Sequence, residues 1–196
     1  MSKYKIGQTA LVAVVDDVEL LVDRWRQRFN SSAAAGMPAH VTVLVPFLDL
    51  DRIDEVVLDE LTALFARQNR FSVEFDRIGR FPDVRYLVPT PDHRFRELTE
   101  VVSARWPEAP PYGGQFAEVT PHLTVANGQQ PEIFDEVEAA METQLPVSAV
   151  VSSISLFVSD GSRWHRRTEF PLASKLRKGQ RKRTSDSETV LSARDP

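Results

Sequence analysis

The sequence predicts an α+β fold: a bilobal, pseudo-duplicated domain in which two small antiparallel sheets face a central cleft and the helices lie outside. Three observations carry the prediction. Runs rich in β-branched and aromatic residues alternate with stretches whose apolar residues recur every three or four positions, so strands and helices are mixed along the chain. One pattern, a histidine and a threonine two residues apart in an apolar run, occurs twice, at His40-Val41-Thr42-Val43 and at His122-Leu123-Thr124-Val125. Each of these runs is flanked by helical stretches, an order that calls for sheets covered by helices. The duplication is one of element order, since little else matches between the halves.

Tyr4 to Val15 reads as a strand, and Asp16 or Asp17 serves as N-cap of a helix running to Phe29. Val18, Leu21, Val22, Trp25 and Phe29 recur at helical spacing and make its core-facing stripe. The small, turn-forming segment from Ser31 to Pro38 then delivers the chain into the His40 strand. A second helix is expected from about Asp51 to Gln68, followed by strands at Phe71 to Ile78 and Val84 to Val88 around the turn Gly79-Arg80-Phe81-Pro82-Asp83. Pro91 and Asp92 open a third helix that ends near Trp106-Pro107, where proline stops it. The loop Pro110-Pro111-Tyr112-Gly113-Gly114 leads to the His122 strand, and Pro131 opens a fourth helix to about Gln144. Val147 to Val158 and Trp164 to Phe170 read as a closing hairpin around Ser159-Asp160-Gly161-Ser162.

The chain has 196 residues, 42% of them hydrophobic, enough for a real core in one domain of two lobes. Residues 1–174 are expected to form that domain. From Lys175 to Pro196 there is no apolar period, and seven Lys or Arg stand against three Asp or Glu, which predicts a disordered basic tail. The net charge of −4 therefore hides an acidic body, unlike a protein that tracks long nucleic acid through many phosphate contacts. A nucleic-acid substrate is expected as a nucleotide or a terminus. Cysteine is absent, which excludes disulfides, thiolate metal sites and cysteine nucleophiles. No apolar run approaches membrane-spanning length, so the expectation is a soluble, cytoplasmic, monomeric protein without an obligate protein partner.

On a strand, residues i and i+2 share a face. His40 then stands beside Thr42 and His122 beside Thr124, while Val41 and Leu123 turn to the core. Two such faces meeting would supply an acid, a base and two hydroxyl donors, a set suited to phosphoester chemistry. Imidazole suits both proton transfers because its ordinary pKa near 6.5 keeps both forms accessible at neutral pH. The threonines would donate to the non-bridging phosphate oxygens. A metal site is the weaker reading, because each pattern offers one good ligand where zinc wants three or four. Without further information, two unrelated strand histidines explain the pattern about as well.

The paired His-x-Thr-x signature resembles that of the two-histidine (2H) phosphoesterase superfamily, in particular its 2′-5′ RNA ligase-like branch. Ala33-Ala34-Ala35-Gly36, Gly79-Arg80-Phe81-Pro82 and Pro111-Tyr112-Gly113-Gly114 also look like bacterial members, so the resemblance covers most of residues 1–174. It implies a bilobal fold with a central cleft, catalysis by His40, His122, Thr42 and Thr124, and neither cofactor nor metal. By likeness, His40 is the proton donor and His122 the acceptor. The expected activity is hydrolysis of 2′,3′-cyclic phosphate ends of RNA or nucleotides. The alternatives are 2′-5′ RNA joining, opening of another cyclic phosphate, or a phosphate- or RNA-binding module without turnover. Arg80, Arg85, Arg163 and Arg166 are candidate phosphate partners, and Tyr86 and Tyr112 candidate base-stacking residues. His93 reads as a solvated helix residue and His165 as an exposed edge residue.

Overall fold

A computed structural model of the chain describes residues 4–116 and 118–174, so the basic tail of residues 175–196 lies outside the described residues. Two four-stranded sheets are built from the described residues. The first has the order β2-β1-β7-β8, made from His40–Leu44, Thr9–Val14, Ser153–Ser159 and Trp164–Pro171. The second has the order β5-β4-β3-β6, made from Leu123–Asn127, Val84–Thr90, Phe71–Phe81 and Val147–Val151. Every neighbouring pair is antiparallel.

The two orders correspond strand for strand, which makes the duplication visible. In each sheet the motif-bearing edge strand, β2 or β5, pairs with the strand before it in the chain, β1 or β4. A helix joins each pair: α1 (Asp16–Phe29) between β1 and β2, α4 (His93–Arg105) between β4 and β5. Both helices cross over, α1 packing on β5 and β6 and α4 on β2. The edge strands β2 and β5 are themselves neighbours. The lobes are therefore not successive halves of the chain, because the first sheet takes β1 and β2 from its beginning and β7 and β8 from its end.

One expected strand is two. Val147 to Val158 divides at Ser152, with β6 pairing to β3 in the second sheet and β7 to β1 and β8 in the first. The unbroken β-branched run hides a change of partner, because local strand preference says nothing about which strand lies alongside. Other boundaries differ less. The first strand begins at Thr9 rather than Tyr4, after a turn in which Gly7 has φ 77 and donates to the Ser159 carbonyl.

Asp16 and Asp17 lie inside the first turn of α1 and do not cap it by a side-chain bond; with Glu19 they place negative charge at its positive end. The segment after α1 contains a one-turn helix, α2 (Ser31–Ala34), capped by Asn30, whose Oδ1 accepts from the Ser32 amide at 2.9 Å. A 3-10 turn at Leu50–Arg52 precedes α3 (Glu55–Phe65), where Asp54 caps the Val57 amide. The fourth long helix, α5 (Pro131–Glu142), starts at proline as expected.

The core lies between the sheets and helices and joins Leu11, Val41 and Val43 of the first sheet to Phe75, Leu87, Leu123 and Val125 of the second. The α1 stripe, Val18, Val22, Trp25 and Phe29, is buried in it. Val41 and Leu123, the middle residues of the two motifs, are both 0% exposed. The alternation therefore sends the His/Thr pairs to the opposite face, where Thr42 and His40 register with Val12 and Val14 of β1. A smaller cluster of Ala10, Val12, Ala35, Met37, Phe157 and Trp164 covers that face of the first sheet. No helix among the described residues is long and apolar enough to cross a membrane.

Candidate active site

His40 opens β2, while His122 stands one residue ahead of β5, so strand geometry holds from Leu123 onward. Both imidazoles are fixed in the same way. Nδ1 of His40 lies 2.7 Å from the Pro38 carbonyl and Nδ1 of His122 lies 2.7 Å from the Thr120 carbonyl. A carbonyl oxygen only accepts, so in each ring Nδ1 carries the hydrogen and Nε2 remains for chemistry. The local cause is a shared backbone turn in which the carbonyl two residues upstream folds back onto the ring.

The motif strands β2 and β5 are in contact, and a charge on His122 is the smallest of the causes behind the lowered pKa of His40. Burial is the largest cause, followed by the Arg26 guanidinium; together they push the His40 imidazole down to about 3, against a partly compensating Pro38 carbonyl. Burial lowers His122 as well, opposed by its bond to Thr120. Burial therefore disfavours the charged form of both rings.

His122 lines a cavity of about 600 Å³ together with Phe81, Pro82, Tyr112, Phe116 and Thr120. Phe81 and Tyr86 pack edge-on to the His122 ring, each with centroids 5.3 Å away. This packing depends on Gly79, which pairs with Tyr86 across β3 and β4. A Cβ at Gly79 would sit 2.2 Å from the Tyr86 ring, so only a missing side chain lets that ring lie flat across β3. On the other side, Tyr112 links the cavity to the first motif, since its buried hydroxyl is near enough to the Thr42 side chain for Thr42 to oppose the burial that raises its pKa. Tyr112 has φ 52, a left-handed conformation rare for tyrosine, within a 3-10 turn at Pro111–Gly114 anchored by its amide to the Val45 carbonyl at 2.7 Å.

Sequence reasoning missed Arg26 of α1 and Asn30, the residue between α1 and α2. Arg26 is 1% exposed and its guanidinium reaches the Thr124 carbonyl at 3.2 Å, the Met37 carbonyl at 3.0 Å and the Pro38 carbonyl at 2.8 Å. Asn30 adds a second bond to the Thr124 carbonyl at 3.1 Å. Glu19 neutralises Arg26 at 3.3 Å and accepts the Ala39 amide with its other oxygen. The available signal was position: Arg26 is four residues from Val22 and so falls on the buried stripe of α1.

Several candidates are engaged elsewhere. Arg80 and Arg85 both pair with the buried Glu138, and Arg85 also lies over Phe134 at 4.3 Å. Arg166 pairs with Glu169 at 3.3 Å, and Arg163 lies along Gly36. None of these four lines the cavity. Tyr86 is 8% exposed, so it supports His122 and presents no free face to a base. His165 donates to Asp160 at 2.9 Å and holds the β7–β8 turn, while His93 is an exposed first residue of α4. Among the described residues no three His, Asp or Glu side chains are grouped to hold a metal.

The family model of the 2′-5′ RNA ligase superfamily matches residues 14–163, from the end of β1 to the start of β8. The chain belongs to that superfamily. Among solved structures, E. coli LigT complexed with 3′-AMP is similar at 15% identity and TM-score 0.56, covering 86% of this chain and 99% of that one. E. coli LigT complexed with NADP+ matches at 17% identity and TM-score 0.53, over 87% and 100%. TT0787 of Thermus thermophilus matches at 16% identity and TM-score 0.54, over 86% and 99%. At these identities the likeness shows the 2H fold. No curated protein matches the chain.

Proposed function

We propose that the protein is a metal-independent phosphoesterase that opens 2′,3′-cyclic phosphates at the end of a nucleotide or short RNA. The observation that carries this reading is the pair of imidazoles, each locked by an Nδ1 bond to a carbonyl with Nε2 unengaged, in a member of the 2′-5′ RNA ligase superfamily. Water attacks phosphorus and gives a proton to one Nε2. The P–O bond to one ribose oxygen breaks, and that oxygen takes a proton from Nε2 of the other ring, which enters the step as an imidazolium charged from solvent, leaving a nucleoside monophosphate. A single ring cannot perform both transfers in one in-line step, which is why two are needed. Thr42 and Thr124 donate to the non-bridging oxygens as charge accumulates there.

The cavity beside His122 supports a small substrate. Its walls are aromatic, with Phe81, Tyr112 and the 61% exposed Phe116 able to stack on a base, and Tyr112 and Phe116 already packed edge-on at 5.5 Å. Its lining also carries Asp83 and Glu118, which oppose a long polyanion. A nucleotide end with one phosphodiester meets these walls better than a continuous RNA backbone.

The test is turnover of 2′,3′-cyclic nucleotides in EDTA by the parent, His40→Ala and His122→Ala, beside a panel of 2′-5′-linked RNA and other cyclic phosphates. The expected result is chelator-resistant hydrolysis that collapses in both variants. Binding without turnover of any substrate, or a requirement for divalent metal, overturns the reading.

A further inference from the structure

One wall of the cavity beside His122 has no regular structure to support it. Between Gly114 and Leu123 the described residues form neither helix nor strand, yet Phe116, Glu118, Val119, Thr120 and His122 of that stretch all line the cavity. Its two ends are fixed, one by the Tyr112 amide on the Val45 carbonyl and the other by β5. In its middle, the Val119 carbonyl accepts Nη1 of Arg96, on α4, at 2.7 Å. The next carbonyl along the chain, that of Thr120, is the one that holds the His122 ring through Nδ1.

The first motif carries the same device. Met37 stands three residues before His40, as Val119 stands three before His122, and the Met37 carbonyl accepts Nη2 of Arg26 at 3.0 Å. In both lobes an arginine from the crossover helix therefore takes the carbonyl just ahead of the one that orients the imidazole. Guanidinium suits the task because its donors form a planar fork that serves two acceptors at once. Nε and Nη2 of Arg96 both go to one Asp92 oxygen, at 3.3 and 2.8 Å, which aims Nη1 at Val119. Asp92 is the residue that begins α4, so the fork is held by a rigid element.

We propose that Arg96 is a positioning residue for the second motif: through the Val119 carbonyl it fixes the cavity wall that carries Phe116, and with it the Thr120 carbonyl that orients the His122 ring. The inference rests on the phosphoesterase reading for what the site does, and adds the group that keeps the site assembled. Thr99 lies three residues further on, on the same face of α4, and its hydroxyl donates to the Val43 carbonyl of the first motif at 2.8 Å. One helix face thus sets the approach to His122 against the strand of His40. Without the bond to Arg96, the peptide at Val119 is free to turn and the Thr120 carbonyl to leave the ring. Which imidazole nitrogen carries the hydrogen is set by the bond that nitrogen makes, so the nitrogen left for chemistry is then no longer fixed. Arg96 is 40% exposed on its side chain, so its replacement leaves no cavity in the core.

The experiment reads the ring nitrogen shifts of histidine-labelled protein by NMR, at a pH where both rings are neutral, in the parent, Arg96→Met and Arg96→Lys, with signals assigned from His40→Gln and His122→Gln. Methionine keeps the apolar stem and removes the donors. In the parent both rings are expected in the Nδ1–H form. In Arg96→Met the His122 shifts are expected to move toward the Nε2–H form while those of His40 stay in place, and Arg96→Lys, which retains a donor for Val119, is expected to lie between. The Kd of a nucleoside 3′-monophosphate is expected to rise about tenfold in Arg96→Met as the wall loosens. With an active cyclic substrate, kcat is expected to fall about tenfold in addition to the rise in KM. An unmoved His122 or an unchanged Kd in folded Arg96→Met overturns the inference. Equal movement of both rings, or Arg96→Lys behaving as Arg96→Met, overturns it as well. Because the ring shifts are read without turnover, a protein inactive on every cyclic phosphate leaves that result intact and refutes only the function.

Discussion

The two His-x-Thr motifs share a backbone geometry and differ in almost everything around it. In the first, His40 sits against a charged and polar frame: the Arg26 guanidinium behind it, Glu19 beyond that, and Tyr112 near Thr42. In the second, His122 sits in an aromatic cradle of Phe81 and Tyr86 that opens onto the cavity. Identical tetrapeptide chemistry thus becomes two different acid–base groups. The lesson is that a repeated motif sets which atoms are offered, and the surroundings set which form they take.

The largest effects should come from removing either member of the pair. His40→Ala and His122→Ala are each expected to lower kcat/KM on a 2′,3′-cyclic nucleotide by about 10²–10⁴-fold, read by product release in EDTA. A variant that keeps parental activity shows that its motif is structural. Thr42→Val and Thr124→Val preserve shape and remove one donor, so each should cost about 10–100-fold in kcat; equal losses would mean that both threonines meet phosphate alike.

Gly79→Ala tests the aromatic cradle alone. Its Cβ overlaps the Tyr86 ring, and the expected result is a stability loss of about 1–3 kcal/mol in denaturant melts, with activity reduced more than in a Leu98→Val control on the core. Activity unchanged in a folded Gly79→Ala protein would show that Tyr86 does not position His122.

The charged frame gives a pH signature. His40 is near 6.5 when unfolded and about 3 when folded, so below pH 6.5 the unfolded chain binds a proton that the native protein refuses. This contribution to stability is intact above about pH 6.5 and falls toward pH 3, by at most about 1.4 kcal/mol per pH unit. His40→Gln should flatten that acid slope in melts followed from pH 7 to 4. The smallest effect is expected at Arg80, 67% exposed on its side chain, where Arg80→Ala should change kcat/KM by less than about twofold. A large loss would restore it as a phosphate partner.

Much of this was legible in the sequence. The twin motif, the inward turn of Val41 and Leu123, and the succession of strands and helices follow from period and composition, which are local properties. The break at Ser152 and the exchange of helices between lobes were not legible, because both concern which element lies beside which. In the site, the histidines announced themselves by repetition. Arg26 did not, because an arginine on a helix reads as solvent-facing until its place on the buried stripe is weighed against its charge. Arg80 and Arg85 read as phosphate partners for the converse reason: no neighbouring residue along the chain hints at Glu138 on α5.

Everything depends on the two imidazoles serving one substrate. Titrating histidine-labelled protein with a nucleoside 3′-monophosphate and following both rings by NMR tests that directly. The account predicts that the His40 and His122 signals move together along one saturation curve with one ligand bound. Movement of a single ring, or two curves with separate affinities, would contradict it.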